Sequence, residues 1–337
     1  MISRIAVALD GSSLSESSLP YIYYLAKLLN AKLLLLQVSF WPEDTTGAIY
    51  MDSEAGISPA NYLTGVKAIL TDPASPWQFQ PDEVQTKVVY KKSVLELGDV
   101  ALAEGADLLV MTTHGRSGLS LLIMGSIAKS ILKHTRLPVI LMRPEETPLK
   151  AQAQIEAILA NPPAPLAVAT LDGSLEAEAC LGPASEICAQ LDIPLYLLEV
   201  VSPSLAGLIG TMGLSYSYNE SEEQKEIQKI RKEATTYLEQ VAHHLQDVYP
   251  HLKVEVTVLV GNPAKQIEDF TGGIHPLFVA MATHARGDFG QMLPGSVAEK
   301  IVRKSRQPVL LARVPRGYRG FNLSMEEGKN GMAEDGY

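Results

Sequence analysis

The 337-residue sequence has only two cysteines, Cys180 and Cys188. They stand eight apart in a stretch of helical spacing. A rise of about 1.5 Å per residue separates them by about 12 Å, too far for a disulfide, and the spacing fits no zinc motif. A reducing, cytoplasmic location is the simplest reading. Long apolar runs are also missing. The leucine run at 33–36 is strand-sized, and no run approaches the roughly 18 to 20 residues of a membrane-spanning helix. Residues 1–9 are too short for the apolar part of an export signal and run directly into Asp10-Gly11-Ser12. Positive charge is in deficit: 28 Lys and Arg face 38 Asp and Glu, for a formal charge of −10. The long-range field therefore repels nucleic acid and acidic membrane surfaces, which excludes both as expected partners.

Several catalytic signatures are absent too. No Gly-x-x-x-x-Gly-Lys-Ser/Thr loop, Gly-x-Gly-x-x-Gly fingerprint or His-Glu-x-x-His helix occurs. Gly115-Arg116-Ser117-Gly118 imitates a serine-hydrolase elbow, but its serine is off register and position 119 is Leu. Hydrolase and dehydrogenase readings of the usual kinds fall away.

What the chain does contain is a copy of itself. With 46% hydrophobic and 20% charged residues it is an ordinary globular sequence, and its length predicts two domains. Leu9-Asp10-Gly11-Ser12 recurs as Leu171-Asp172-Gly173-Ser174, and Thr113-His114 recurs as Thr283-His284. Gly125-Ser126 recurs as Gly295-Ser296, and Pro138-Val139 as Pro308-Val309. The offset grows from 162 to 170, so the second copy carries about eight extra residues in its middle. Each copy alternates short apolar runs with helical patterns, the form of a parallel sheet covered by helices. Strands are expected at 5–9, 33–38, 84–90, 108–112 and 139–142, and again at 166–170, 195–201, 254–260, 277–282 and 309–312. Apolar spacing predicts helices at 14–29, kinked or shifted near its start by Pro20, and at 61–70, 126–133, 151–160 and 220–246. The expected organisation is a first domain over 1–143, a Pro-rich linker over 144–161, a second domain over 162–314 and a flexible tail over 315–337, frayed from Phe321 onward.

Ligands of open parallel sheets bind beyond the carboxyl ends of the strands, where the strand order reverses. The turn at Asp10 and the stretch Thr112-Thr113-His114-Gly115 leave two such strands. A nine-residue loop then leads to Gly125-Ser126 at the start of a basic helix. Glycine admits close backbone approach, and the free amides of a helix N-terminus attract phosphate. Plainer readings stand beside these. Gly115 and Gly125 also read as turn glycines, Ser126 as a helix cap, and Asp10 and Asp172 as side chains closing their own strand ends. His114 reads as a loop histidine without a paired carboxylate, and Arg116 as a phosphate clamp or a solvated cation.

Taken together, this order of elements, present twice, resembles the universal stress protein family in its tandem form, whose nucleotide loop reads Gly, two residues, Gly, nine residues, Gly-Ser/Thr. Here Thr112 replaces the first glycine, while Gly115, Gly125 and Ser126 keep the pattern. The resemblance implies an α/β fold of two tandem Rossmann-like domains, each a five-stranded parallel sheet of order 3-2-1-4-5 with helices on both faces. It implies ATP, ADP or AMP as ligand, with Mg²⁺. Asp10 would lie by the ribose and the metal, and the Val38 backbone at the adenine edge. Met111, Thr112, His114, Gly115 and Arg116 would border the nucleotide, with Gly125, Ser126 and Ile127 donating to its phosphates. The second-copy matches are Asp172, Val200, Ala282, Gly295, Ser296 and Val297. Alanines at 282 and 285 replace both early glycines there, so the first copy is expected to carry the nucleotide and the second to be a degenerate partner. The loop after the third strand also differs, being Lys91-Lys92-Ser93-Val94 in the first copy and Gly261-Asn262-Pro263-Ala264 in the second.

The resemblance further implies antiparallel pairing of the two last strands, at 139–142 and 309–312, into an internal pseudo-dimer. Self-association of two chains and an unidentified protein partner are compatible with it. The expected role is a stress-responsive, nucleotide-dependent regulator. No general base is identifiable, so turnover would be limited to slow ATP hydrolysis or autophosphorylation in the 116–124 loop. A nucleotide-free structural module is the alternative from another class.

Overall fold

A computed structural model describes residues 1–39, 57–90, 96–113, 126–143, 151–202, 220–283, 296–315 and 317–321. The first half supplies β1 (Arg4–Leu9), β2 (Lys32–Ser39), β3 (Val84–Tyr90), β4 (Leu108–Thr112) and β5 (Val139–Met142). The second supplies β6 (Ala167–Leu171), β7 (Leu195–Val201), β8 (Val254–Val260), β9 (Val279–Thr283) and β10 (Val309–Arg313). All ten join one sheet in the order β3-β2-β1-β4-β5-β10-β9-β6-β7-β8. Within each half every pairing is parallel and the order is 3-2-1-4-5. Across the centre β5 and β10 run antiparallel, with Val309 opposite Leu141, Leu310 opposite Ile140 and Leu311 opposite Val139.

The apolar strands are covered on both faces because alternate side chains leave a strand on opposite sides. Ile5, Val7, Leu33 and Leu35 enter one core, and Ala6, Leu34, Leu36 and Leu109 the other. Helices α1 (Ser13–Glu16), α2 (Leu19–Leu29) and α3 (Pro59–Thr71) follow in the first half, then α4 (Leu97–Ala103) and α5 (Ser126–His134). Next come α6 (Ala151–Ala160), α7 (Leu181–Leu191), α8 (Glu220–Val248), α9 (Pro263–Ile274) and α10 (Ser296–Lys304). Side chains of α2, α3, α7 and α8 fill the first core, and those of α4, α5, α9 and α10 the second. Each core runs through both halves.

Where one helix was expected over 14–29, two form. Ser12 caps α1 by accepting from the Ser15 amide at 3.2 Å, and Pro20 sits in the first turn of α2, where its missing N–H would have had no partner. The halves are also stitched outside the seam. Gln190 on α7 accepts from the Ile2 amide at 2.8 Å and donates to the carbonyls of Ile2 and Leu29, each at 2.9 Å. The Tyr21 hydroxyl donates to the Leu277 carbonyl at 2.7 Å.

One expectation fails at the C-terminus. Phe321 does not fray: it is 4% exposed, its amide donates to the Glu178 carboxylate at 2.8 Å, and its ring meets His244 edge-on at 5.7 Å. A single aromatic with an apolar recess to fill outweighs the two glycines, Gly317 and Gly320, that precede it. Residues 322–337, the rest of the expected tail, lie outside the described residues, as do 40–56.

Candidate functional site

In each half the first strand lies between the second and the fourth, so a switch-point crevice opens beyond its carboxyl end. At the end of β1 the chain turns through Gly11 at φ +78°. Asp10, half-buried, closes this turn: its Oδ1 accepts from the Ser12 amide at 3.0 Å and the Ser12 hydroxyl at 2.6 Å. The end of β2 brings half-buried Val38 opposite Val89 of β3, and β4 delivers buried Met111 and Thr112. The Thr113 amide then bonds the Met142 carbonyl at 2.8 Å, and Ser126 and Ile127 open α5. The structure thus brings Asp10 and Thr112 to the carboxyl ends of paired strands. His114, Gly115, Arg116 and Gly125 lie outside the described residues, as do Lys91 and Lys92.

The second half repeats this geometry. Asp172 Oδ1 accepts from the Ser174 amide at 3.1 Å and from its hydroxyl, with Gly173 at φ +75°. Ser174 then caps a 3₁₀ turn, Leu175–Cys180, by accepting from the Ala177 amide at 3.3 Å. Five positions expected from the sequence, Asp172, Val200, Ala282, Ser296 and Val297, line one cavity of about 300 Å³. That volume is at the lower end of the roughly 300 to 1,000 Å³ typical of small-molecule sites. Its far wall comes from α9. Gly261, at φ +140°, turns the chain so that Asn262 can cap the helix, accepting from the Lys265 amide at 3.2 Å, and Pro263 and Ile267 then face the cavity. The Ala282 methyl belongs to the wall, while Gly295 and Ala285 lie outside the described residues.

Polar groups beneath the crevices were not anticipated. Glu178 of the 3₁₀ turn is 5% exposed, and besides the Phe321 amide it accepts from the Tyr237 hydroxyl of α8 at 3.1 Å. Burial and the Glu178 charge hold that phenol neutral, well above its ordinary range. In the first half Glu16 faces Tyr62 of α3 with the same consequence, burial being the larger cause. Glu199 of β7 is 9% exposed, and burial, reinforced by the Asp172 charge, pushes its carboxyl up to about 7. A charged or amide residue inside an apolar strand, Glu199 and its counterpart Gln37, is the signal that could have found them.

No three His, Cys, Asp or Glu side chains gather to hold a metal among the described residues, and Asp10 Oδ1 is committed to its turn. The described residues by themselves do not form a protein-held Mg²⁺ site. What the second crevice can do is accept a small ligand against an apolar wall, with one acidic turn and one helix N-terminus at its rim.

Two halves of order 3-2-1-4-5 with a crevice at each switch point define a tandem α/β protein of the Rossmann-like class. The model of the universal stress protein family matches residues 1–143 and 167–313, and the chain belongs to that family. A universal stress protein of Mycobacterium tuberculosis is 22% identical over 230 residues, spanning 68% of this chain and 69% of the relative. One of Methanocaldococcus jannaschii is 30% identical over 106 residues, 32% of this chain and 64% of the relative. Among solved structures, a universal stress protein of Archaeoglobus fulgidus superposes with a TM-score of 0.52 at 16% identity, covering 93% of this chain and 98% of its own. A functionally unknown protein of Pseudomonas aeruginosa does so at 0.54 with 15% identity, covering 98% of both.

Proposed function

We propose that this universal stress protein binds an adenine nucleotide, AMP, ADP or ATP, in the crevice of its first half, as the loop glycines there lead one to expect, and also in that of the second half, and acts as a nucleotide-dependent regulator. The observation that carries the reading is the cavity of about 300 Å³ in the second half, lined by five residues at positions that the family resemblance assigns to nucleotide contact. In the first half Asp10, Val38, Thr112 and Ser126 stand at the equivalent places and support the same reading there. The ring system lies against the apolar wall, the ribose beside the acidic turn, and the phosphates at the helix N-terminus. Occupancy alters the rim presented to a protein partner.

The test is chemical analysis of nucleotide that copurifies with the chain, together with thermal unfolding with and without AMP, ADP and ATP. At 100 times Kd a ligand stabilises the native state by about 2.7 kcal/mol. Copurified nucleotide or an upward shift is the expected result; an empty protein with an unmoved transition for all three overturns the reading.

A further inference from the structure

Among the buried positions at which the halves differ, one beside the crevice exchanges an acid for an amide. Glu199 pairs with Leu171 at the end of β6, and Gln37 with Leu9 at the end of β1. The two positions match, but one holds an acid and the other a neutral amide. Glu199 Oε2 is sealed from solvent and meets no hydrogen-bond donor among the described residues. Oε1 points toward the Asp172 turn: a Cβ on Gly173 would stand 3.8 Å from it. The groups facing Glu199 are Asp172 from the end of β6 and Tyr237 from α8, whose hydroxyl is engaged by Glu178 of the 3₁₀ turn. Its cross-strand neighbour on β8, Val258, carries no charge. A dry carboxylate with an undonated oxygen beside a second carboxylate is unfavourable, so the neutral acid is favoured. The lift of its pKa to about 7 agrees with that geometry.

We propose that Glu199 makes ligand binding in the second crevice proton-dependent. As a neutral acid it leaves Asp172 the one charged side chain on the described crevice wall. When its O–H bond breaks and the proton passes to solvent, a second negative charge stands behind Asp172 and weakens the hold on an anionic nucleotide. Gln37 has no proton to lose in this range, so the first crevice lacks the device. The inference rests on the nucleotide reading above.

The experiment is calorimetric titration of the full chain and of its Glu199→Gln variant with AMP between pH 6 and pH 8, in two buffers of different ionisation enthalpy. Comparing the proteins at equal pH cancels the titration of AMP itself. The expected result is that the natural chain loses on the order of tenfold in affinity relative to the variant as pH rises. It also takes up a proton on binding near pH 7 that the variant does not. Equal affinities and equal proton uptake at every pH overturn the inference and leave nucleotide binding standing. No AMP binding by either protein at any pH overturns both. Should Glu199→Gln not fold, Gln37→Glu is expected to install the same pH step in the first crevice, and a flat profile there overturns the inference.

Discussion

Glu178 joins three parts of the second half with one side chain, accepting hydrogen bonds from the Tyr237 hydroxyl of α8 and from the Phe321 amide of the C-terminal segment while its own backbone belongs to the 3₁₀ turn. Removing a donor from a buried carboxylate is costly, so Tyr237→Phe is expected to lower stability by about 1 to 3 kcal/mol, read from the midpoint of urea unfolding. Glu199 acts in the opposite sense. Its carboxyl pKa is higher in the folded chain, about 7, than its ordinary 4.5, so the native state holds more protons than the unfolded one between those values. Stability from this group is fully present below pH 4.5 and is lost as pH rises through 7. Urea unfolding at pH 5 and pH 8 should show Glu199→Gln gaining on the natural chain at the higher pH; parallel curves would refute the assignment.

The strands were readable because residues such as Ile5, Val7, Leu33 and Leu35 form near-continuous apolar runs, and strand order followed from the family resemblance they supported. Helix ends were less legible. Pro20 signalled a disturbance, but only packing decided that Ser18 would start a separate helix. Phe321 was unreadable: one apolar residue among glycines has no periodicity, and its recess is built from residues far away in the chain. The site divides in the same way. Asp10 and Asp172 stood out by their repeat, and the turn each closes is the plainer of the two sequence readings, now coexisting with a crevice position. Glu199, Glu178 and Tyr237 carry no shared motif, because three distant segments bring them together. At this scale Ser12→Ala removes both the cap of α1 and a donor to Asp10, and a loss of about 1 to 2 kcal/mol is expected in chemical denaturation. Ala282→Phe should fill the second cavity, and equilibrium dialysis should then find nucleotide bound only in the first half.

The two cores cross the β5–β10 seam on opposite faces of the sheet, and Gln190 and Tyr21 fasten the halves away from it. Such continuity predicts one unfolding transition for the whole chain, with calorimetric and van't Hoff enthalpies equal. Gln190→Ala, which leaves the Ile2 amide and two carbonyls without this partner, should lower the transition; two resolved transitions in the natural chain would show the halves to be thermodynamically separate. The antiparallel seam has a further consequence. It joins the halves as a two-fold dimer would join two identical chains, but in such a dimer every substitution is made twice, in both sites at once. Here each substitution is made once. Gln37 and Glu199 show what that permits: one half carries a neutral amide and the other an acid at the same place, so twin halves are free to drift apart while still leaning on a shared wall.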